Sequence, residues 1–278
     1  MSCRNDPPTH PKPDLTGGVL PVGCQPLTRW QAAFWFAGGW VWLASMAWAP
    51  TASWWRELDW AVYHAAQGLL QAFPTLAKLF AILNLHPAGN LVMDAAFAAV
   101  GLPWLWQAQC RAELVRKLAL LSYYVVAWRI TMSLINRWLF TTILQWQSLS
   151  PSLIEAPAVN LRELLPGQNV KVFATGTFPS DHAMQLLFLA LVMWRFGGTL
   201  RGPIVGISLF FCVPRLMSGA HWLSDVAIGG LGIAAVAFGC WFAAPFADRG
   251  VRLFSWFWRT LLRATSQPAP PNQSHHST

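Results

Sequence analysis

Charge is what this sequence lacks most. Asp, Glu, Lys and Arg make up 11% of its 278 residues, against roughly 25% in ordinary soluble domains, which excludes a water-soluble globular protein. Acidic residues are the scarcer sign, 11 against 19 basic, leaving a net charge of +8. That surplus does not point to nucleic acid. Such a reading needs a basic face carrying base-reading or stacking groups, and here the basic residues gather in short loops between apolar runs. Cysteine is also sparse. Cys3, Cys24, Cys110, Cys212 and Cys240 show no paired spacing and no C-x-x-C, so neither a disulfide framework nor a zinc site is expected. No internal repeat is evident. What the chain has in quantity is apolar: 55% of residues are hydrophobic and 18 are Trp, the latter suited to the belts at membrane–water boundaries.

The apolar runs predict an all-α polytopic membrane protein with six transmembrane helices and an interfacial helix after the first span. A hydrocarbon core of roughly 30 Å takes about 20 apolar residues. The expected spans are Trp30–Ala49, Ala88–Ala108, Leu118–Ile135, His182–Phe196, Gly202–Arg215 and Leu223–Phe246. The first is too long and too Trp-rich for a cleaved leader. Between the first two spans, Trp54, Trp55, Leu58, Ala61, Val62 and Ala65 recur at helical spacing beside Arg56, Glu57, Asp59 and His64, the pattern of a helix lying in the interface. A long connection, Arg137 to Phe178, precedes the fourth span. Three segments follow: a Pro-rich disordered tail over 1–28, a membrane domain over 29–247, and a basic amphipathic and then disordered tail over 248–278. Six spans put both termini on one side. Most of the 19 basic residues fall there, among them Arg111, Arg116, Lys117, Arg195 and Arg201, which places the termini in the cytoplasm. A bacterial inner membrane is the expected location.

Two polar groups sit at the mouths of these spans, where charge is costly without a purpose. The first is Phe178-Pro179-Ser180-Asp181-His182; the second is Arg215-x5-His221-x3-Asp225. His221 and Asp225 are four apart and share a helical face. A carboxylate there can accept a hydrogen bond from one ring N–H, fix the tautomer and leave the other nitrogen's lone pair as a nucleophile. Arg215 offers a planar fork of donors suited to phosphate oxygens. Ser180 is a natural N-cap, and free N–H groups at a helix start favour an anion. His182 is placed to act as general acid. A carboxylate at Asp181 repels phosphate, so it is expected to pair with a neighbouring arginine or tune His182. By the charge bias, both groups face the periplasm.

Pro179-Ser180-Asp181-His182 resembles the P-S-G-H motif of the type 2 phosphatidic acid phosphatase superfamily of membrane lipid phosphatases. Arg215-x5-His221-x3-Asp225 resembles its S-R-x5-H-x3-D motif. The likeness loosely covers Trp30 to Phe246. It implies an enzyme without metal or other cofactor, in which His221 forms a phosphohistidine, Asp225 orients it and His182 protonates the leaving group. Arg215 and Ser180 would then hold the phosphoryl oxygens. Asp181 replaces the motif's Gly, a variation shared with an undecaprenyl diphosphate phosphatase-like branch, and Pro214 replaces the Ser. The family's K-x6-R-P motif is absent. Arg137-Trp138 stands nearest to it, with Ile130 in place of the lysine; Arg137, Arg129 and Lys171 are the substitutes considered for substrate binding. The implied substrate is a lipid phosphate or diphosphate: undecaprenyl diphosphate first, then lipid A phosphate or phosphatidylglycerophosphate. Phosphotransfer to a lipid or sugar acceptor, and non-catalytic binding or transport of an anionic lipid, are the alternatives.

Overall fold

The structure is a computed structural model that describes residues 25–146 and 148–264. The expected tails fall, for residues 1–24 and 265–278, outside the described residues. Among the described residues there are helices and two isolated bridges, and no strand. The order is α1 (Arg29–Ala44), α2 (Ala49–Ala72), α3 (Pro74–Leu83), α4 (Ala88–Trp106), α5 (Arg111–Thr131), α6 (Pro151–Ile154), α7 (Asp181–Phe196), α8 (Arg201–Met217), α9 (Leu231–Trp241) and α10 (Ala244–Ala264). Two wider π-helical stretches and one 3-10 turn complete it: Met132–Ile143 continues α5, Asp225–Gly230 leads into α9, and Gly198–Leu200 leads into α8.

Local sequence accounts for several boundaries. Thr28 and Gln31 form a capping box: the Thr28 hydroxyl accepts from the Gln31 N–H, and the Gln31 side chain accepts from the Thr28 N–H. Pro74 cannot continue α2, and the axis turns by 116° into α3. No proline or glycine interrupts residues 104–144. The helix therefore runs on to Ile143, past the Ile135 end expected for the third span.

Among the described residues, three helices are long and apolar enough to cross a membrane by length and composition: residues 88–106, 111–143 and 198–217. The bent α2–α3 pair makes a fourth if it is one span. Helices α1 and α7 have 16 residues each and α9 has 11. The protein is thus an all-helical membrane protein.

Helices α7 and α9 form the centre, with α1, α5 and α8 against them. In lipid there is little hydrophobic drive between helices, so close packing and interhelical hydrogen bonds hold them together. Gly239 permits the α1–α9 crossing, since a Cβ there would stand 2.5 Å from Phe36 N and 2.6 Å from Ala32 O. Tyr124 on α5 donates to Gln185 O on α7 at 3.0 Å, and Tyr123 donates to Trp241 O on α9 at 2.6 Å; such bonds contribute about 0.6 kcal/mol each. Phe188 and Phe242, both fully buried, meet edge to face between them. Helix α10 packs along α5, where Trp258 Nε1 donates to Ser122 Oγ. Leu27, before α1, bridges to Ala243, after α9, so these ends lie together and away from the Asp225 end of the central helix.

Candidate active site

The turn before α7 and the start of the π-helix before α9 meet through small residues. A Cβ on Gly229 would stand 2.7 Å from Pro179, and one on Gly230 would stand 2.8 Å from Ala183; larger side chains would hold the two motifs apart. The Ser180 N–H donates to Asp225 O at 3.2 Å and ties them directly. Ser180 is the N-cap of α7, its hydroxyl accepting from the Ala183 N–H at 3.4 Å. It is fully buried.

The two motifs and the long connection wall a cavity of about 370 Å³. Arg137, Lys171, Asp181, His182 and His221 all line it, with Asn136, Thr141 and the 174–176 backbone region. The π-helical extension carries Asn136, Arg137 and Thr141 to this wall, and its wide winding shows in the Thr141 hydroxyl donating to Asn136 O, five residues back.

His221 is buried. Its Nδ1 lies 3.1 Å from Thr177 O and 3.5 Å from Asp225 Oδ2. Both partners only accept, so Nδ1 carries the proton and the lone pair is on Nε2 of a ring that faces the cavity. Asp225 is itself fixed: Trp222 N–H donates to Oδ2 at 2.9 Å and Ser148 Oγ to Oδ1 at 3.3 Å. His182 Nε2 lies 3.1 Å from Phe211 O. A carbonyl cannot donate, so Nε2 holds a proton and Nδ1 is the nitrogen free to exchange one.

The cations divide into three groups. Arg137 and Lys171 line the cavity. Lys171 is exposed at its mouth, yet partial burial and the nearby Arg215 charge push its ammonium below the ordinary lysine range, with Asp181 opposing. Arg215 is not among the lining residues; its Nη1 donates to Asn84 Oδ1 at 3.1 Å. Arg129 is exposed and stands over the ring of its neighbour Trp128, 4.8 Å from the centroid, away from the cavity lining.

Several residues of the site carry no signal in the sequence. Asn84 is buried; its Nδ2 donates to Pro214 O at 2.8 Å and its backbone carbonyl accepts from the Lys171 backbone N–H at 2.9 Å. It therefore organises two cations at once, while in the sequence it reads as a helix-stop asparagine. Ser148 and Thr177, whose hydroxyls hydrogen-bond each other, read as ordinary loop residues. Among the described residues no group of three or more His, Cys, Asp and Glu is placed to hold a metal ion.

Residues 140–248 match the model of the PAP2 superfamily, so the likeness carried by the two motifs is a family match over that stretch. The chain is also similar to the lipid A 1-diphosphate synthase of Escherichia coli (strain K12), 33% identical over 106 residues. That alignment covers 38% of this chain and 44% of the relative, so it spans less than half the length of the curated relative. No solved structure matches the chain.

Proposed function

We propose that this protein is a membrane lipid phosphatase that removes phosphate from a lipid phosphate or diphosphate through a phosphohistidine on His221. The observation that carries the reading is His221 itself: Nδ1 is held by Thr177 O and Asp225, and the ring faces a cavity walled by Arg137, Lys171 and His182. The match to the PAP2 superfamily over 140–248 supports it.

The lipid phosphate enters with its oxygens against Arg137 and Lys171, while Arg215 adds positive charge behind them. Nε2 of His221 attacks phosphorus as the bond to the leaving oxygen breaks. His182, whose Nε2 proton is held on Phe211 O and which takes a second proton on Nδ1 beside the bound phosphate, gives that Nδ1 proton to the leaving oxygen. Water then attacks the phosphohistidine, its proton passing to His182 Nδ1, and the N–P bond breaks to release phosphate. Asp225 stabilises the positive ring that His221 becomes. The same proposal includes six spans with both termini cytoplasmic, the site on the periplasmic face of a bacterial inner membrane, and no metal in the reaction. Undecaprenyl diphosphate is the favoured substrate.

A second reading is phosphotransfer, in which a lipid phosphate rather than water takes the phosphoryl group. The relative's name as a diphosphate synthase favours it. One experiment separates these. Purified protein and His221→Ala are given a panel of lipid phosphates and prenyl diphosphates, with free phosphate and phosphorylated lipid both followed. Release of phosphate by wild type alone, unaffected by chelator, is the expected result. Label in the lipid channel only would make the protein a transferase. Loss in chelator would sink the metal-free mechanism, and no turnover with no acid-labile phosphoenzyme would leave a non-catalytic lipid-binding protein.

A further inference from the structure

We propose that Asp59, on α2, is a positioning residue for the reaction, acting on His221 and Asp225 through Ser224. The proposal rests on the reading of His221 as the nucleophile. Asp59 stands 165 positions before Ser224, and its carboxylate takes both of that residue's donors: the N–H on Oδ1 at 2.7 Å and the hydroxyl on Oδ2 at 2.6 Å. Ser224 is the residue immediately before Asp225, at the N-cap of the π-helix that Asp225 opens.

A buried carboxylate is costly unless its oxygens are satisfied, and Asp59 is 6% exposed. Both oxygens are spent on one loop residue, with no cation bonded to either among the described residues. The bonds are short, as charge-assisted bonds are. They face a loop that runs between two cavities. In front of His221 lies the cavity of about 370 Å³. Behind Asp225 and Ser224 lies a second cavity of about 260 Å³, edged by Asp59, Trp60 and Trp222. Between the two cavities Trp222 packs edge-on against Trp60 of α2, while hydrogen bonds fix the polar groups of the loop. Asp225 holds it from within through the Trp222 N–H, and Asp59 holds it from α2. The same face of α2 braces neighbouring segments: Tyr63 donates to Glu155 O, and Gln67 donates to Met217 O and accepts from the Val159 N–H. Tyr63 also meets the Trp222 ring, and Asp59 is the member of that stripe that hydrogen-bonds the residue before Asp225.

The test uses the full-length protein in detergent micelles, with a short-chain phosphatidic acid and a short prenyl diphosphate as probes. Steady-state kcat and KM, the single-turnover rate constant of phosphoenzyme formation and the melting temperature are measured. Misplacing a reacting group by about 1 Å costs on the order of 100-fold, so Asp59→Ala is expected to lower the single-turnover constant about 10- to 100-fold with KM within about twofold. That constant does not depend on the fraction of protein folded, so a merely stabilising role would not move it. Asp59→Asn keeps an acceptor for the Ser224 N–H and should recover most of the loss. Ser224→Ala should lose less than Asp59→Ala, and the double variant should be no worse than Asp59→Ala, because both act through the same bonds. Glu57→Gln, exposed on the same helix, should match wild type. If Asp59→Ala does not fold, Asp59→Asn and Ser224→Ala carry the comparison. An unchanged constant in these variants, or additive losses in the double variant, overturns the proposal while His221→Ala is still inactive. Activity in His221→Ala, or none in wild type, overturns the reading of the site and this proposal with it.

Discussion

Replacing Asp225 by Asn asks how much of the chemistry depends on a charge and how much on geometry. Asp225 is 1% exposed, accepts from Trp222 N–H and Ser148 Oγ, and stands 3.5 Å from His221 Nδ1. Asparagine has the same shape. With its carbonyl at the Oδ2 position it still accepts from Trp222 and stays beside His221 Nδ1; its amide at Oδ1 then faces Ser148, whose hydroxyl can turn to accept because Thr177 offers it another partner. The fold should therefore survive, and what is removed is the negative charge. When Nε2 attacks phosphorus the ring becomes cationic. A unit charge pair at the 3.5 Å separation of Nδ1 and Oδ2, at an effective dielectric constant near 20, interacts by about 5 kcal/mol. The amide dipole and cavity water recover part of that, leaving a loss of about 3 to 4 kcal/mol in the transition state, or on the order of 100- to 1,000-fold in kcat. The loss should be smaller than the ~10,000-fold seen where an acid alone sets the tautomer, because Thr177 O keeps its hold on Nδ1 at 3.1 Å. The assay is phosphate release from the best lipid of the panel, with the melting temperature followed in parallel. A kcat within threefold of wild type would refute the electrostatic role, and a collapse in melting temperature would refute the claim that the shape suffices.

Asn84→Ala removes the acceptor of Arg215 and the donor to Pro214 O in a buried place; it should cost about 1 to 3 kcal/mol of stability and raise KM about tenfold with a smaller change in kcat, read from melting and steady-state kinetics. Asp181→Asn takes away a carboxylate that lines the phosphate cavity beside Arg137 and Lys171; relief of roughly 1 kcal/mol of repulsion should lower KM for a phosphomonoester about fivefold, and a higher KM would show that Asp181 instead holds the cations in place. Lys171 binds an anion only as the ammonium, and its titration lies below the ordinary 10.5. KM should thus begin to rise at a lower pH than an unperturbed lysine would give, and Lys171→Arg should carry the flat region to higher pH in the same plot of log KM against pH.

Some of this was legible along the chain because the forces involved act over a few residues. Helix capping at Ser180 needs only the next turn, and the His221–Asp225 pairing needs only a spacing of four. The helices themselves follow from apolar runs, and their ends from Thr28, Pro74 and Ser180. Periodicity was a poorer guide where the winding changed. Arg137 reads as the far end of a span, yet the helix continues in π geometry and delivers it to the cavity. Arg129, deeper in the same run and expected by depth alone to face a polar cavity, lies over Trp128 instead.

By itself, then, the sequence determined a helical membrane protein with two chemically matched polar groups at its helix mouths, because composition sets the solvent and short spacings set shared faces. Tertiary structure alone decided what surrounds those groups. Arg215 finds Asn84 across 131 positions, Ser148 finds Asp225 across 77, and Asp59 finds Ser224 across 165. Such bonds depend on where whole helices cross, and that is set by contacts such as Gly239 on Ala32 and Gly229 on Pro179, which no local pattern encodes.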